Sequence, residues 1–468
     1  MLLGTFLLGS QFIQDPKPGW IKINGVVLGE SKKFSYKVSW SRDIGTLLDT
    51  LSKDPAITCV LYNWKTGDAY TKSGFDLTDK SDYSRNSEYT TFILKNKINK
   101  FIPQPPPIQP IQPIQPIQPI QPSPTQPQPK NCYVNWNGDD FMCNNYKFAP
   151  VGPNVYWLGH TESHNYPERN QVIEMFEVAS KMKSTVIRSH TLGISSGNPN
   201  SLRPSGVVLN EKAWDAIDFA FYTAKNYNIK LICPLTDAYT WANGNYGDFC
   251  KSRGVPKKDF WTNIDVRSDF KDYISKWLNH RNKYTGIKIK DDPTLAFIEL
   301  GNELGNIRPD HGSVNVPTKE WLTDITSYIK SIDKNHLILG PSDECLGSKE
   351  SDDFNVKDID VYSGHFYSKD YSRLDFGANS SRNVNKPYII GEYSPHFDND
   401  WFIEIEKRKN VKGSIFWNLY PHENGLVGGL KINHQDGETV WYPEDRVTLL
   451  KISNHFRRMQ GLPTVQNI

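Results

Sequence analysis

Three carboxylates in two short stretches have the type and spacing to do chemistry. FIELGNELGN (297–306) places Glu299 and Glu303 four positions apart, and PYIIGEYS (387–394) carries Glu392 at the end of an apolar run. Two carboxyl groups facing one another can divide the work of breaking a glycosidic bond. One protonates the leaving oxygen and the other meets the oxocarbenium-like centre. Which of the two close glutamates belongs to such a pair depends on the element that carries them. Read as a strand, PTLAFIEL gives Phe297, Glu299 and Gly301 one face, because strand side chains alternate. Glu299 then lies within the strand and Glu303 just past its end. In a closed parallel barrel the interior is packed and reactive groups sit at the carboxyl ends of strands. Glu303 is the reactive candidate on that reading, and Glu299 a buried, hydrogen-bonded core carboxylate.

Such a barrel needs seven more strands. After residue 130 the apolar runs NVYWLG, STVIRSH, NIKLICPL, TLAFIEL, NHLILG, DIDVYSGH, PYIIGE and GSIFWNL are eight candidates. Helical periods such as QVIEMFEVASKM, EKAWDAIDFAFYTAKNY, SDFKDYISKWLNHRNKY and KEWLTDITSYIKSI lie between several of them. Near-continuous apolar strands alternating with helices predict a parallel sheet covered on its outside, and eight repeats predict an α/β (β/α)8 TIM barrel. The residues just past the apolar runs then share one mouth. Arg188 ends the second strand, Asn302 and Glu303 follow the fourth, His365 and Tyr367 the sixth, Glu392 the seventh and Trp417 the eighth. Taken singly, Arg188 reads as a structural ion-pair partner, His365 as a core histidine and Trp417 as packing. Together they make a carboxylate pair with a cation and an aromatic face for a sugar ring. His160, His164, Trp157 and Trp241 lie near predicted mouth loops, where sugar contact and loop packing are both open readings.

The segments NGDDFMCNNYKFAPVGPNVYWLG, DDPTLAFIELGNEL, SIDKNHLILG, DVYSGHFYS, KPYIIGEYS, GSIFWNLYPH and HQDGETVWYP, in this order, resemble glycoside hydrolase family 5, in particular its endo-β-1,4-mannanase-like members. The resemblance runs from about Val134 to about Pro443. It implies a retaining hydrolase with Glu303 of GNE as acid/base and Glu392 of GEY as nucleophile. It further implies Arg188 near the nucleophile, Asn302 on the sugar 2-hydroxyl, Tyr367 donating toward Glu392, His365 lining the mouth and Trp417 as the platform. The implied substrate is a mannan-type polysaccharide, with a β-glucan hydrolase, a mannoside-acting exo-enzyme and a non-catalytic carbohydrate-binding barrel as alternatives. Two departures bear on substrate choice: Ser189 and His190 follow Arg188 where many mannanases have Thr-Trp, and LTDAYTW stands where Asn-Asn-Trp is common. Glu303 is expected to be protonated at working pH, raised by the neighbouring carboxylate.

The rest of the chain sets the context. Residues 103–130 turn abruptly to Pro, Gln and Ile, with IQP in tandem, and read as a polyproline II tether, with a ligand for proline-recognising modules as the alternative. Residues 15–102 contain short strand-like runs (FSYKVSW, AITCVLYNW, YTTFIL) and read as a small β-rich accessory module for a carbohydrate or protein ligand. That module weakly resembles PAN/apple domains, although only Cys59 of their cysteines is present. Residues 1–14 read as a signal segment or as a buried first strand, and the barrel occupies 131–468. The chain has 54 basic and 52 acidic residues, net +2, which gives no footprint for nucleic acid or an anionic membrane. There is no HExxH, paired CxxC, strand-linked GxGxxG or Walker sequence, so neither a metal nor a nucleotide cofactor is expected. Cys132 with Cys143 and Cys233 with Cys250 are expected disulfides of a secreted, monomeric protein, Cys59 and Cys345 lack local partners, and Asn379 is an acceptor for a glycan.

Overall fold

The computed structural model describes residues 131–468, apart from 163–164, 195–198, 205–208, 240–243, 305–315, 342–345, 350 and 421–435. Before residue 131 it describes five strands alone. These are Trp20–Leu28, Phe34–Ser39, Ile57–Asn63, Asp68–Ser73 and Tyr83–Leu94, paired antiparallel in the order first, fifth, third, fourth, second. The three segments read as strands here are all in this sheet. The signal segment, the tether, Cys345, His164 and Trp241 lie outside the described residues.

In the larger unit eight strands run parallel: β1 (Val151–Pro153), β2 (Val186–Arg188), β3 (Lys230–Pro234), β4 (Leu295–Glu299), β5 (Leu337–Leu339), β6 (Tyr362–Phe366), β7 (Tyr388–Tyr393) and β8 (Val411–Phe416). They pair as two arcs, β2-β3-β4-β5 and β6-β7-β8-β1. Parallel bridges Asn154–Arg188 and Leu339–Val361 join the arcs, so the sheet closes on itself. Helices Arg169–Lys181, Ala213–Tyr227, Ile264–Asn279, Lys319–Ile332, Tyr371–Asn383, Asn399–Lys407 and Arg446–Met459 cover it. Their starts are fixed locally: Asn263 accepts from the Asp265 and Val266 N–H groups, and Thr318 from that of Trp321, satisfying first-turn donors that no helical carbonyl reaches. The first strand lies three residues upstream of NVYWLG, which continues as a turn. Trp157 is thereby carried past the strand into the wall.

Alternation sorts the side chains. Val186, Ile232, Phe297, Leu339, Val361, Ile389 and Ile415 form an interior cluster, while Ile187, Leu231, Ile298, Ile338 and Ile390 pack outward beneath the helices. The interior cluster is closed at the amino ends of the strands by a three-stranded antiparallel plug (Val134–Trp136, Phe141–Cys143, Tyr146–Lys147), which adds Val134, Phe141 and the bonded pair Cys132–Cys143. The second expected disulfide is absent: Cys233 and Cys250 are free and buried. Cys233 points outward from β3 into the helix layer, where it packs as a small apolar side chain. Asn379 is exposed on helix Tyr371–Asn383.

Candidate active site

Arg188, at the end of β2, is the hub of the mouth. Its Nε and Nη2 donate to Glu299 (2.7 and 2.8 Å), Nη1 to Asn154 (2.9 Å) and Glu392 (2.7 Å), and Nη2 also to Asn302 Oδ1 (2.8 Å). All five guanidinium N–H groups are thus used. Burial opposes the charge, but Glu299 and Glu392 overcome it and hold the pKa above its ordinary value. This explains Glu299: a carboxylate on the inner face of β4, fully enclosed, whose bidentate grip fixes the guanidinium. Asn154, just past β1, supports the same guanidinium, donating its own N–H groups to the carbonyls of Gly391 and Phe416 (both 3.1 Å).

Strict alternation would place Glu392 with Ile390, facing outward. The register of β6 against β7 prevents this: Gly364 pairs with Ile390 and His365 with Glu392, so Gly391 is an extra residue. Such a bulge re-aims the following side chain. Glycine is required there, because a Cβ on residue 391 would come within 2.8 Å of His365 Nε2. Glu392 therefore turns inward, where it also accepts from the Tyr367 hydroxyl (2.5 Å). Tyr367 is 45% exposed although its hydroxyl is bonded to Glu392.

Glu303 stands beyond β4 in the left-handed region, φ 48°, a conformation that a β-carbon disfavours and that the surrounding contacts must hold. Its Oε1 is 2.7 Å from His365 Nδ1, which lies 3.5 Å from Glu392 Oε2. One donor atom from each of Glu303, His365 and Glu392 falls within 4.8 Å of the others. This is also a spacing a metal ion would accept, but in this constellation each of the three is already engaged in hydrogen bonds. Burial pushes the Glu303 carboxyl up, yet hydrogen bonds from His365 and Tyr239 outweigh it and hold Glu303 below the usual range. For Glu392 burial prevails: aided by the Glu303 charge, it raises the carboxyl against His365 and Arg188. His365 is lowered by burial but raised further by Glu392 and Glu303. The expected raised Glu303 is thus corrected. Glu303 is pulled down and His365 up by the same contact, and buried acids this close titrate together.

Of the expected site residues, Arg188, Asn302, Glu303, His365, Tyr367 and Glu392 converge on this one network. Trp417 adjoins it, donating through Nε1 to Asp436 (2.8 Å), with one ring face stacked on Tyr156 (centroids 5.3 Å apart, 14°) and an edge contact to His190. Trp157 has no exposed surface and tilts against Tyr420, so it belongs to the wall and presents no face to a sugar. His160 is buried as well. Asn154, Tyr239 and Asp237 were not singled out from sequence. The strand-end rule applied to β1 and β3 points to all three, and placing the first strand at 154–159 hid Asn154.

The family profile described as "GH family 5 beta-mannosidase-like" matches residues 131–393. The chain is 31% identical over 378 residues to mannan endo-1,4-beta-mannosidase 5 of Solanum lycopersicum, covering 70% of this chain and 89% of that one. It is 27% identical over 388 residues to mannan endo-1,4-beta-mannosidase 7 of Arabidopsis thaliana, covering 72% and 87%. Among solved structures the endo-1,4-beta-mannanase of Rhizomucor miehei superposes with a TM-score of 0.58 at 22% identity, over 70% of this chain and 99% of that one, and shares the barrel fold. With more than half of the chain matched, this protein belongs to the β-mannosidase-like branch of glycoside hydrolase family 5.

Proposed function

We propose that the chain is a retaining endo-β-1,4-mannanase working by double displacement. The observation that carries the reading is the pairing of Glu303 and Glu392, with carboxyl oxygens within 4.8 Å, each supported by its own donors. A water-activating, inverting pair stands at about 6.5–9.5 Å, whereas a nucleophile and its acid stand at about 5–5.5 Å. Glu392, oriented by Arg188 and Tyr367, attacks the anomeric carbon. The proton shared by His365 and Glu303 passes through Glu303 to the departing oxygen. Glu303 then takes a proton from water, whose oxygen displaces Glu392 and restores the site. Asn302 holds the sugar 2-hydroxyl.

The β-1,4-mannan substrate is inferred from what the similar plant proteins are named for. We place the activity in residues 131–468, with 15–102 as a separate targeting module for a carbohydrate or protein ligand. A secreted monomer acting on an external polymer fits this reading, and the Cys132–Cys143 bond fits an oxidising compartment. Among the described residues no helix is long and apolar enough to cross a membrane. Reducing-sugar release from mannan, glucomannan and cellulose, measured side by side, tests the substrate. Faster release from the two mannose-containing polymers is expected, and preference for cellulose would replace the reading with a β-glucan hydrolase.

A further inference from the structure

Behind Asn302 lies a carboxyl that the mechanism above does not use. Asp237, three residues past β3, is completely buried. Backbone hydrogen bonds tie its segment to that of Asn302: Asn302 N–H donates to Thr236 (2.9 Å) and Ala238 N–H to Asn302 (3.1 Å). The side chains are thereby set against each other. Asp237 Oδ1 accepts from the Tyr239 N–H (3.0 Å) and from Asn302 Nδ2 (3.1 Å), while Oδ2 is buried and has no hydrogen-bond partner among the described residues.

We propose that Asp237 is a further positioning residue of this site, one that fixes which way round the Asn302 amide sits. The logic is one of donors and acceptors. Arg188 can only donate, so the Asn302 atom facing it must be the oxygen; the amide nitrogen then faces Asp237, which accepts from it. One amide N–H is spent on Asp237 and the other remains for a sugar hydroxyl. Without an acceptor at 237 the amide is held only at its oxygen end, by Arg188, and its grip on the 2-hydroxyl weakens in the transition state.

Asp237 does this as a neutral acid. The charged groups facing it are Glu303, Arg188 and Lys257. Glu303 repels its charge, Arg188 has spent its N–H groups on other acceptors, and Lys257 directs its ammonium to the Ala238 carbonyl (2.9 Å). Burial pushes the Asp237 carboxyl up to about 8. An asparagine at 237 offers the same accepting oxygen and is therefore the conservative substitute.

This rests on the glycosidase reading, and the test separates the two. Parent, D237N and D237A are compared on an aryl β-mannobioside and on its analogue lacking the 2-hydroxyl of the cleaved ring. D237A should lose about tenfold in kcat on the first, the worth of one buried hydrogen bond, with KM little moved and less than about twofold lost on the second. D237N should recover most of that loss. Equal losses on both substrates, or D237N as poor as D237A, would overturn the proposal. If the parent cleaves only the gluco-configured substrate, the mannan reading fails, and the same comparison on that pair still decides the role of Asp237. Should D237A not fold, Asp237→Leu, similar in size and unable to accept, takes its place. Infrared spectra give a readout apart from activity: at pH 7 the parent-minus-D237N difference should show a protonated-carboxyl C=O stretch that disappears by about pH 10, two units above the shifted pKa. No such band would overturn the neutral assignment.

Discussion

The two ends of the barrel are built from the same inward-facing rows and differ in everything else. Val186 and Arg188 share a face of β2, as Phe297 and Glu299 share a face of β4. In each pair the residue nearer the strand's amino end fills the apolar layer over the plug, and the one two places on is charged and buried. What separates the layers is the account of hydrogen bonds. Below, packing alone is satisfied; above, five guanidinium donors meet acceptors from Asn154, Glu299, Asn302 and Glu392. A fixed cation of this kind can sit against the Glu392 carboxylate because Glu299 compensates it from the other side. An unpaired charge at that depth would cost several kcal/mol.

Breaking the upper layer should cost activity, and breaking the lower should cost stability. The largest effect is expected at the nucleophile: Glu392→Ala should lower kcat by about 10⁵-fold or more, on the order of 7 kcal/mol, with azide restoring some turnover as a glycosyl azide of inverted configuration. Full activity in that variant would remove Glu392 from the role. Next comes Glu303→Ala. Its loss of about 10²–10⁴-fold on polysaccharide should shrink on aryl glycosides with good leaving groups, which need little protonation. Equal losses on both substrates would argue against an acid role.

The pH profile sharpens the comparison further, because both limbs originate in the upper layer. Glu392 must be ionised to attack, and its raised pKa means that activity falls as pH drops through a value above the ordinary 4.5. The His365–Glu303 pair must hold a proton, so activity falls again as pH rises through a value above the ordinary 6.5 of histidine. A kcat/KM profile flat across that range would contradict the shared proton. The smallest effect belongs to the plug: replacing Cys132 and Cys143 by serine should remove at most about 3 kcal/mol of stability by loop entropy, with kcat unchanged. A lower kcat in the folded variant would show that the two layers are coupled.

Much of this was legible in the sequence, and the failures have physical causes. Apolar runs placed seven of the eight strands because parallel strands covered on both faces are nearly continuous in hydrophobicity. The first strand was misplaced because Val151–Pro153 is short and contains glycine and proline, while NVYWLG is the more apolar run although it forms a turn. The strand-end rule named Arg188, Asn302, Glu303, His365 and Glu392, which the structure brings into one network. It could not reveal that Glu392 faces inward only through the bulge at Gly391, since a two-residue period puts it on the wrong face. Spacing in sequence suggested the pair Cys233–Cys250, but a cysteine on the outer face of a buried strand packs well as a free thiol. The state of Glu303 was beyond sequence reasoning, because it depends on a histidine 62 residues away standing at 2.7 Å.

The central claim is that Glu303 and Glu392 stand as acid and nucleophile, close enough for a covalent intermediate. It is tested most directly by proton NMR of the first product formed from a reduced-end-capped β-1,4-mannooligosaccharide, before mutarotation sets in. Two displacements at the anomeric carbon should release the β-anomer first, with the α-anomer growing only as the sugar equilibrates. The α-anomer appearing first would mean a single displacement by water, and would contradict the roles assigned to both glutamates.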